Sequence, residues 1–402
     1  MATGMTAGSV ASSGAVSRGA DATVGTNAAA AYPRVGTLAS GPLDTACDVG
    51  GVTVGHVTLA HDAIQTGVTV VRPHGGDLYR DKVPAGLAVL NGFGKSAGLV
   101  QVEELGVLET PIALTNTFAV GTVANAQIRQ AVAANAEIGR AWPTVNPLVF
   151  ECNDGYLNDI QAMAVAESDY AAAHDAAGVD CAQGAVGAGR GMSCFGFKGG
   201  IGSASRITRP LDGRSWTVGA LVLANFGRQP LLTVAGRPFG QWLESDHAQR
   251  RQAGGAAAEG REGTPADLAR GDEAAGPEKG SIILLLATDA PLDARQLRRL
   301  ALRAGAGLAR TGSVFGHGSG DIALAFSTAY TVPHLAERPM PAIAMLHETR
   351  IDPLFEAAAE GIEQAILNAL WHADGVTGRD GHARRAIREA IPHWRDWLDG
   401  GP

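Results

Sequence analysis

Long hydrophobic runs are missing from this 402-residue chain: no stretch of 18 apolar residues occurs, so no segment can form a membrane-spanning helix. An excess of positive charge is missing too. Lys and Arg total 32 against 40 Asp and Glu, a net charge of −8, and no basic face stands out, which argues against a nucleic-acid partner. Cysteine is scarce. Cys47, Cys152, Cys181 and Cys194 make no C-x-x-C pair and no metal-finger spacing, so they read as reduced, mostly buried thiols in a cytoplasmic protein. The 11 His form no H-E-x-x-H or H-x-x-x-H, which excludes the usual zinc helix. Gly94-Lys95-Ser96 has Val89 where a phosphate loop needs Gly, and Gly187 and Gly189 are followed by Met192 where a dinucleotide fingerprint needs its third Gly. No metal and no cofactor are expected.

What is present is globular. Hydrophobic residues make up 46% of the chain, and the 54 Gly have no three-residue period, so tight turns and close backbone approaches are expected in place of collagen. Residues 1–40 are expected to be a low-complexity tail. They lack the charged start and apolar stretch of a secretory signal. Short apolar strands are predicted at Val52–Val57, Gly67–Val71, Gly86–Leu90, Pro111–Leu114, Pro147–Phe150, Trp216–Ala224, Ser281–Ala287 and Asp321–Phe326. Helices are predicted at Thr122–Ala136, Leu157–Glu167, Ala294–Arg303, Pro353–Ala373 and Ala383–Leu398. Their mixture along the chain predicts a layered α/β protein.

The sharpest break in composition is Asp246–Gly280. These 35 residues hold 12 charged residues and one large aliphatic, Leu268, and cannot bury enough apolar surface to offset their ordering entropy. At Ser281 a buried-strand run begins abruptly, Ser281-Ile-Ile-Leu-Leu-Leu-Ala287. One reading is a surface insertion between strands. The other is a processing site, with Ser281 as a new N-terminus. An N-terminal Ser carries its own base, an α-amine whose ordinary pKa is about 7.7–8.0, and a hydroxyl needs such a neighbour to attack. Gly280 would let the backbone adopt the conformation that self-cleavage requires. Gly also precedes Ser9, Ser203, Ser313 and Ser319, but only Ser281 joins a polar leader to a strand start.

Seven stretches occur in order: Asn91-Gly-Phe-Gly-Lys95, Leu114-Thr-Asn-Thr117, Asn153-Asp-Gly-Tyr-Leu-Asn-Asp159, Phe197-Lys-Gly-Gly-Ile-Gly202, Gly280-Ser-Ile-Ile283, Ala287-Thr-Asp-Ala-Pro291 and Gly318-Ser-Gly-Asp321. Together they resemble the L-aminopeptidase/D-esterase family, which includes the β-peptidyl aminopeptidases. The resemblance covers roughly residues 44 to 372. It implies an αββα sandwich of the type shared with ornithine acetyltransferases, and self-cleavage between Gly280 and Ser281. Residues 41–280 and 281–402 would then be the α and β chains of one hydrolase domain, with 246–280 a flexible charged tail. It further implies αβ pairs joined in a homo-oligomer, and substrates that are short peptides, amides or esters with a free amino terminus.

On that resemblance Ser281 is the nucleophile, Asn225 an oxyanion donor, and Ser319 and Asp321 partners of the Ser281 amine and hydroxyl. Glu151, after the apolar run Pro147-Leu-Val-Phe150, is the acceptor for the substrate ammonium, and Tyr156 is a substrate-binding candidate. In isolation Asn225 reads better as a strand or turn cap and Glu151 better as a solvated strand end, and Ser319 and Asp321 read as a polar turn. Some members carry Glu where Asp321 stands, so the reach here is shorter. Two alternatives stay open: an acyltransferase of the ornithine acetyltransferase kind, and an uncleaved protein that only binds a small amine.

Overall fold

The computed structural model describes residues 32–253 and 279–401. Nine main strands set the frame: β1 (Thr53–His61), β2 (Ile64–Arg72), β3 (Asp81–Gly92), β4 (Ile112–Asn116), β5 (Leu148–Cys152), β6 (Gly200–Ile207), β7 (Thr217–Asn225), β8 (Lys279–Thr288) and β9 (Gly318–Ser327). Six helices join them: α1 (Leu99–Leu105), α2 (Val120–Ala134), α3 (Glu167–Asp175), α4 (Phe239–Ala253), α5 (Ala294–Arg310) and α6 (Asp352–Trp371). Strands β1, β2, β4 and β5 form one sheet in that order. The second sheet runs β3-β9-β8-β7-β6, with Val332–Pro333 and Val107–Leu108 pairing on β3. Strands β8 and β9 are parallel, and the other main pairs of this sheet are antiparallel.

Side-chain alternation builds the layers. On β8, Ile282, Leu284 and Leu286 face a core shared with Leu297, Leu300 and Ala304 of α5 and Ile362, Ile366 and Leu370 of α6. Ile283, Leu285 and Ala287 face the other way, toward Ile112, Leu114, Leu148 and Phe150 of the first sheet. That sheet's outer face, Val68, Val70, Ala113 and Val149, packs on Val123 of α2 and Tyr170 of α3. The order is helices, sheet, sheet, helices: the predicted αββα sandwich. Strand β8 is covered on both faces, which is why its run is continuously apolar. Helix α5 starts where Asp293 and Gln296 cap each other reciprocally. No helix among the described residues is long and apolar enough to cross a membrane.

Four expectations need correction. The low-complexity tail does not extend to residue 40: Val35 and Leu38 are buried, and backbone N–H groups of Val35, Thr37 and Leu38 bond Gln364 and Glu360 of α6. The segment predicted to be flexible from Asp246 is helical through Ala253, because α4 is anchored earlier by buried Phe239 and Leu243. The rest of that segment through Glu278, like residues 1–31, lies outside the described residues. Leu157–Glu167 is not a helix. The Asp154 and Asn158 side chains bond each other, Asn158 bonds Gln65 N–H, and Met163 turns left-handed at φ 46°, so α3 begins only at Glu167. Ala383–Leu398 is broken too: Ala383–Arg384 pairs with Val376–Thr377, and Pro392 separates short helices at Ile387–Ala390 and Trp394–Asp399.

Strand β6 escaped sequence reading because its glycines look like turns. They allow close packing instead: a Cβ on Gly202 would lie 1.8 Å from Ala365 O of α6. Gly202→Ala should therefore destabilise the protein by about 1–3 kcal/mol, seen as a lower thermal midpoint. An unchanged midpoint would contradict the packing described.

Candidate active site

The site forms where β7, β8 and β9 end together. Asn225, the last residue of β7, is the antiparallel register partner of Ser281. On the other side Ser281 pairs with Gly320, so Ser319 and Asp321 flank that partner on β9. Gly280 and Ser281 lie at the start of β8. Ser281 Oγ donates to Gly280 O at 2.8 Å and accepts the Gly320 N–H at 3.1 Å. Ser281, Asn225, Glu151, Ser319 and Asp321 are all buried. Gly280 has a clear reason to be glycine: a Cβ there would lie 2.4 Å from Asn225 O and 2.9 Å from Phe226 Cα.

Each polar group has its bearings set. Asn225 Nδ2 donates to Asn153 O at 2.9 Å, and Oδ1 accepts the Ser193 N–H at 2.8 Å. Ser319 Oγ donates to Asp321 Oδ1. Asn91 Nδ2 donates to the carbonyls of Gly316, His317 and Ser319, which pins the turn entering β9. Glu151 accepts from Lys95 N–H at 2.8 Å on Oε1 and from Thr117 Oγ on Oε2. The loop Phe93-Gly94 joins these parts. A Cβ on Gly94 would lie 3.6 Å from Glu151 Oε1 and 3.8 Å from Gly320 Cα, and one on Gly320 would lie 3.1 Å from Ser281 Oγ. Glu151 and Ser281 thus sit on either side of two touching glycines.

Tyr156 has other company: its ring stacks on His382 at 4.7 Å, and the Arg384 guanidinium lies 3.6 Å from its centre. Three contributions had no role of their own in the sequence reading: the Gly320 and Ser193 N–H groups and the Thr117 hydroxyl. The first two are backbone donors, and nothing in residue identity marks a backbone donor. Thr117 was legible only as part of a turn-rich stretch. Burial, with Glu151 and Asp321 nearby, pushes the Cys152 thiol well above its ordinary pKa, so it stays protonated and is no nucleophile. Among the described residues no cluster of three or more His, Cys, Asp or Glu could hold a metal.

Comparison with known proteins gives the class. The structure superposes with TM-score 0.80 on the PH0078 protein of Pyrococcus horikoshii OT3, which is 44% identical, covering 92% of this chain and 98% of that one. It superposes with TM-score 0.76 on the L-aminopeptidase D-Ala-esterase/amidase of Ochrobactrum anthropi, described as a prototype serine aminopeptidase with a variant Ntn-hydrolase fold (33% identity, 91% and 97% coverage). The protein is accordingly a hydrolase of the N-terminal-nucleophile fold, a serine aminopeptidase, and self-processing is implied by that fold family. More narrowly, the chain belongs to peptidase family S58, whose model matches residues 44–384. Among its relatives is the beta-peptidyl aminopeptidase BapA of Sphingosinicella microcystinivorans, 39% identical over 353 residues and 85% of each chain. The acyltransferase alternative is set aside by this membership.

Beside the site Asp154 is fully buried, and burial raises its carboxyl from 3.8 to about 6 against the bonds from Thr66 and Asn158 that lower it. A carboxyl whose pKa rises on folding binds its proton more tightly when folded. Its contribution is complete below 3.8 and lost as the pH rises through about 6. Relative to Asp154→Asn, the wild-type protein should lose about 3 kcal/mol across that window, read as a thermal midpoint falling against the variant's. A pH-independent difference would contradict it.

Proposed function

We propose that Ser281, freed by cleavage after Gly280, is the nucleophile of an aminopeptidase acting on short peptides, amides or esters. The register carries this reading: one residue at a strand start lies between Asn225 and Gly320. The free Ser281 α-amine takes the proton from Oγ as Oγ attacks the substrate carbonyl. Asn225 Nδ2, which has a second hydrogen beyond the one donated to Asn153 O, stabilises the oxyanion together with backbone N–H groups. As the tetrahedral intermediate collapses to an acyl-enzyme on Ser281, the C–N or C–O bond breaks and the leaving amine or alcohol takes the proton held by the α-ammonium; water, giving a proton to the α-amine, then attacks the ester, and the acid leaves as Oγ regains its proton. Ser319 and Asp321, one residue either side of the Gly320 partner, hydrogen-bond the amine and keep it oriented.

Glu151 binds the substrate ammonium. Its buried carboxylate, already oriented by Lys95 N–H and Thr117, supports that reading, because an ammonium entering a closed site needs an anionic partner. Tyr156 is proposed as a substrate-binding residue because it lies three residues beyond Asn153, whose carbonyl accepts from Asn225, although its ring packs on His382 and Arg384. That relatives are named beta-peptidyl aminopeptidases supports β-peptides as one class of substrate for this chain. Assembly of αβ pairs into a homo-oligomer is proposed on the family resemblance alone, and four cysteines that form no disulfide favour the cytoplasm.

Ser281→Ala should abolish both cleavage of the chain and turnover, assayed on an aminoacyl p-nitroanilide; normal rates from the purified variant would reject the assignment. Asn225→Ala should lower kcat by about 10²–10³, with the thermal midpoint nearly kept. Glu151→Gln should raise KM for free-amine substrates by about ten- to a hundredfold and leave kcat much less affected. An unchanged KM would remove Glu151 from the ammonium site.

A further inference from the structure

Lys198 is among the largest fully buried side chains, and the reaction above makes no use of it. It lies in a tight hairpin where Ser193–Cys194 pairs with Phe197–Lys198. Its ammonium donates to three backbone carbonyls: Gly189 at 2.9 Å, Met192 at 2.8 Å and Gly199 at 2.7 Å. Burial and Arg190 push its pKa well down. Three carbonyls at these distances nevertheless call for three N–H donors, which only the charged form has. A buried cation is costly unless such bonds offset its lost hydration.

The three acceptors lie on one loop. It runs from the 3-10 turn Gly187–Gly189 through Met192 to Gly199, whose N–H returns to Met192 O at 3.0 Å. Ser193 follows Met192 directly and donates its N–H to Asn225 Oδ1 at 2.8 Å. Phe195 N–H reaches Phe226 O at 2.8 Å, and a Cβ on Gly199 would lie 2.4 Å from Ala224 O, so the loop presses on the end of β7. Ser193 N–H can only donate and Asn153 O can only accept. The two bonds therefore decide which end of the Asn225 amide is nitrogen.

We propose that Lys198 is a positioning residue for the hydrolysis: its ammonium gathers the Gly189, Met192 and Gly199 carbonyls, so that Ser193 N–H holds Asn225 Oδ1 and Nδ2 is presented to the oxyanion. The inference rests on the oxyanion role proposed for Asn225. Lys198 touches no reacting atom. Its effect is carried entirely by the direction of the Asn225 amide.

The test is a double-mutant cycle on the cleaved two-chain enzyme, with kcat and KM measured on an aminoacyl p-nitroanilide for wild type, Lys198→Met, Asn225→Ala and the double variant. Lys198→Met should lower kcat by about ten- to a hundredfold with KM nearly constant. In the Asn225→Ala background the same change should cost less than about twofold. Equal losses in both backgrounds, or a folded Lys198→Met enzyme with wild-type kcat, would overturn the proposal. Should Lys198→Met fail to fold, Lys198→Arg runs the same cycle. It keeps the charge but its planar fork cannot meet all three carbonyls, so a smaller loss of kcat that vanishes without Asn225 is expected, and a loss that persists overturns it. If Asn225→Ala alone leaves kcat intact, the oxyanion reading has failed, which is a separate result.

Discussion

The pairing of Ser281 with Asn225 on one side and Gly320 on the other is the constraint from which the site follows. A hydroxyl is a weak attacker unless a base and a charge-stabilising donor stand at fixed places beside it. In the proposed reaction the base is the α-amine of Ser281 itself, and the donor, Asn225, is set beside it by strand register, which is held along the full length of β8 by ladders to β7 and β9. A slip of one residue would turn every β8 side chain to the opposite face, moving Ile283 and Leu285 out of the space between the sheets. The cost of that slip is what fixes Ser281.

The glycines around Ser281 serve the same end. At Gly280 and Gly320 backbones touch, and any side chain there would push away β7 or the Phe93-Gly94 loop. Glu151 reaches this point from the first sheet, so the site spans both halves of the sandwich. Its carboxylate is held by Lys95 N–H and Thr117 rather than by a cation. Among the described residues no ion pair compensates its charge, which suits it to an incoming ammonium.

Much of this was legible in the chain itself. Strand β8 announced itself because a strand covered on both faces must be apolar throughout, and Ser281 stood out at the edge of that run. Helix α5 was legible from its spacing as far as Arg303, and the structure carries it on to Arg310. Strand β6 was not, since Gly200 and Gly202 are turn residues by composition and strand residues only because α6 packs so close. The loop from Leu157 failed for the opposite reason: apolar spacing suggested a helix, while Asp154, Asn158 and Asp159 gave the backbone other partners. The contacts that aim Asn225 carried no signal in residue identity, because both, the Ser193 N–H and the Asn153 carbonyl, are main-chain groups brought together from distant segments.

The most direct test of the account is the intact mass of catalytically active enzyme, joined to N-terminal sequencing of whatever small chain is found. The account predicts two polypeptides, residues 1–280 and 281–402, the second beginning at Ser281. Full activity from a single uncut chain would contradict it, since Ser281 would then have no free amine to take its proton.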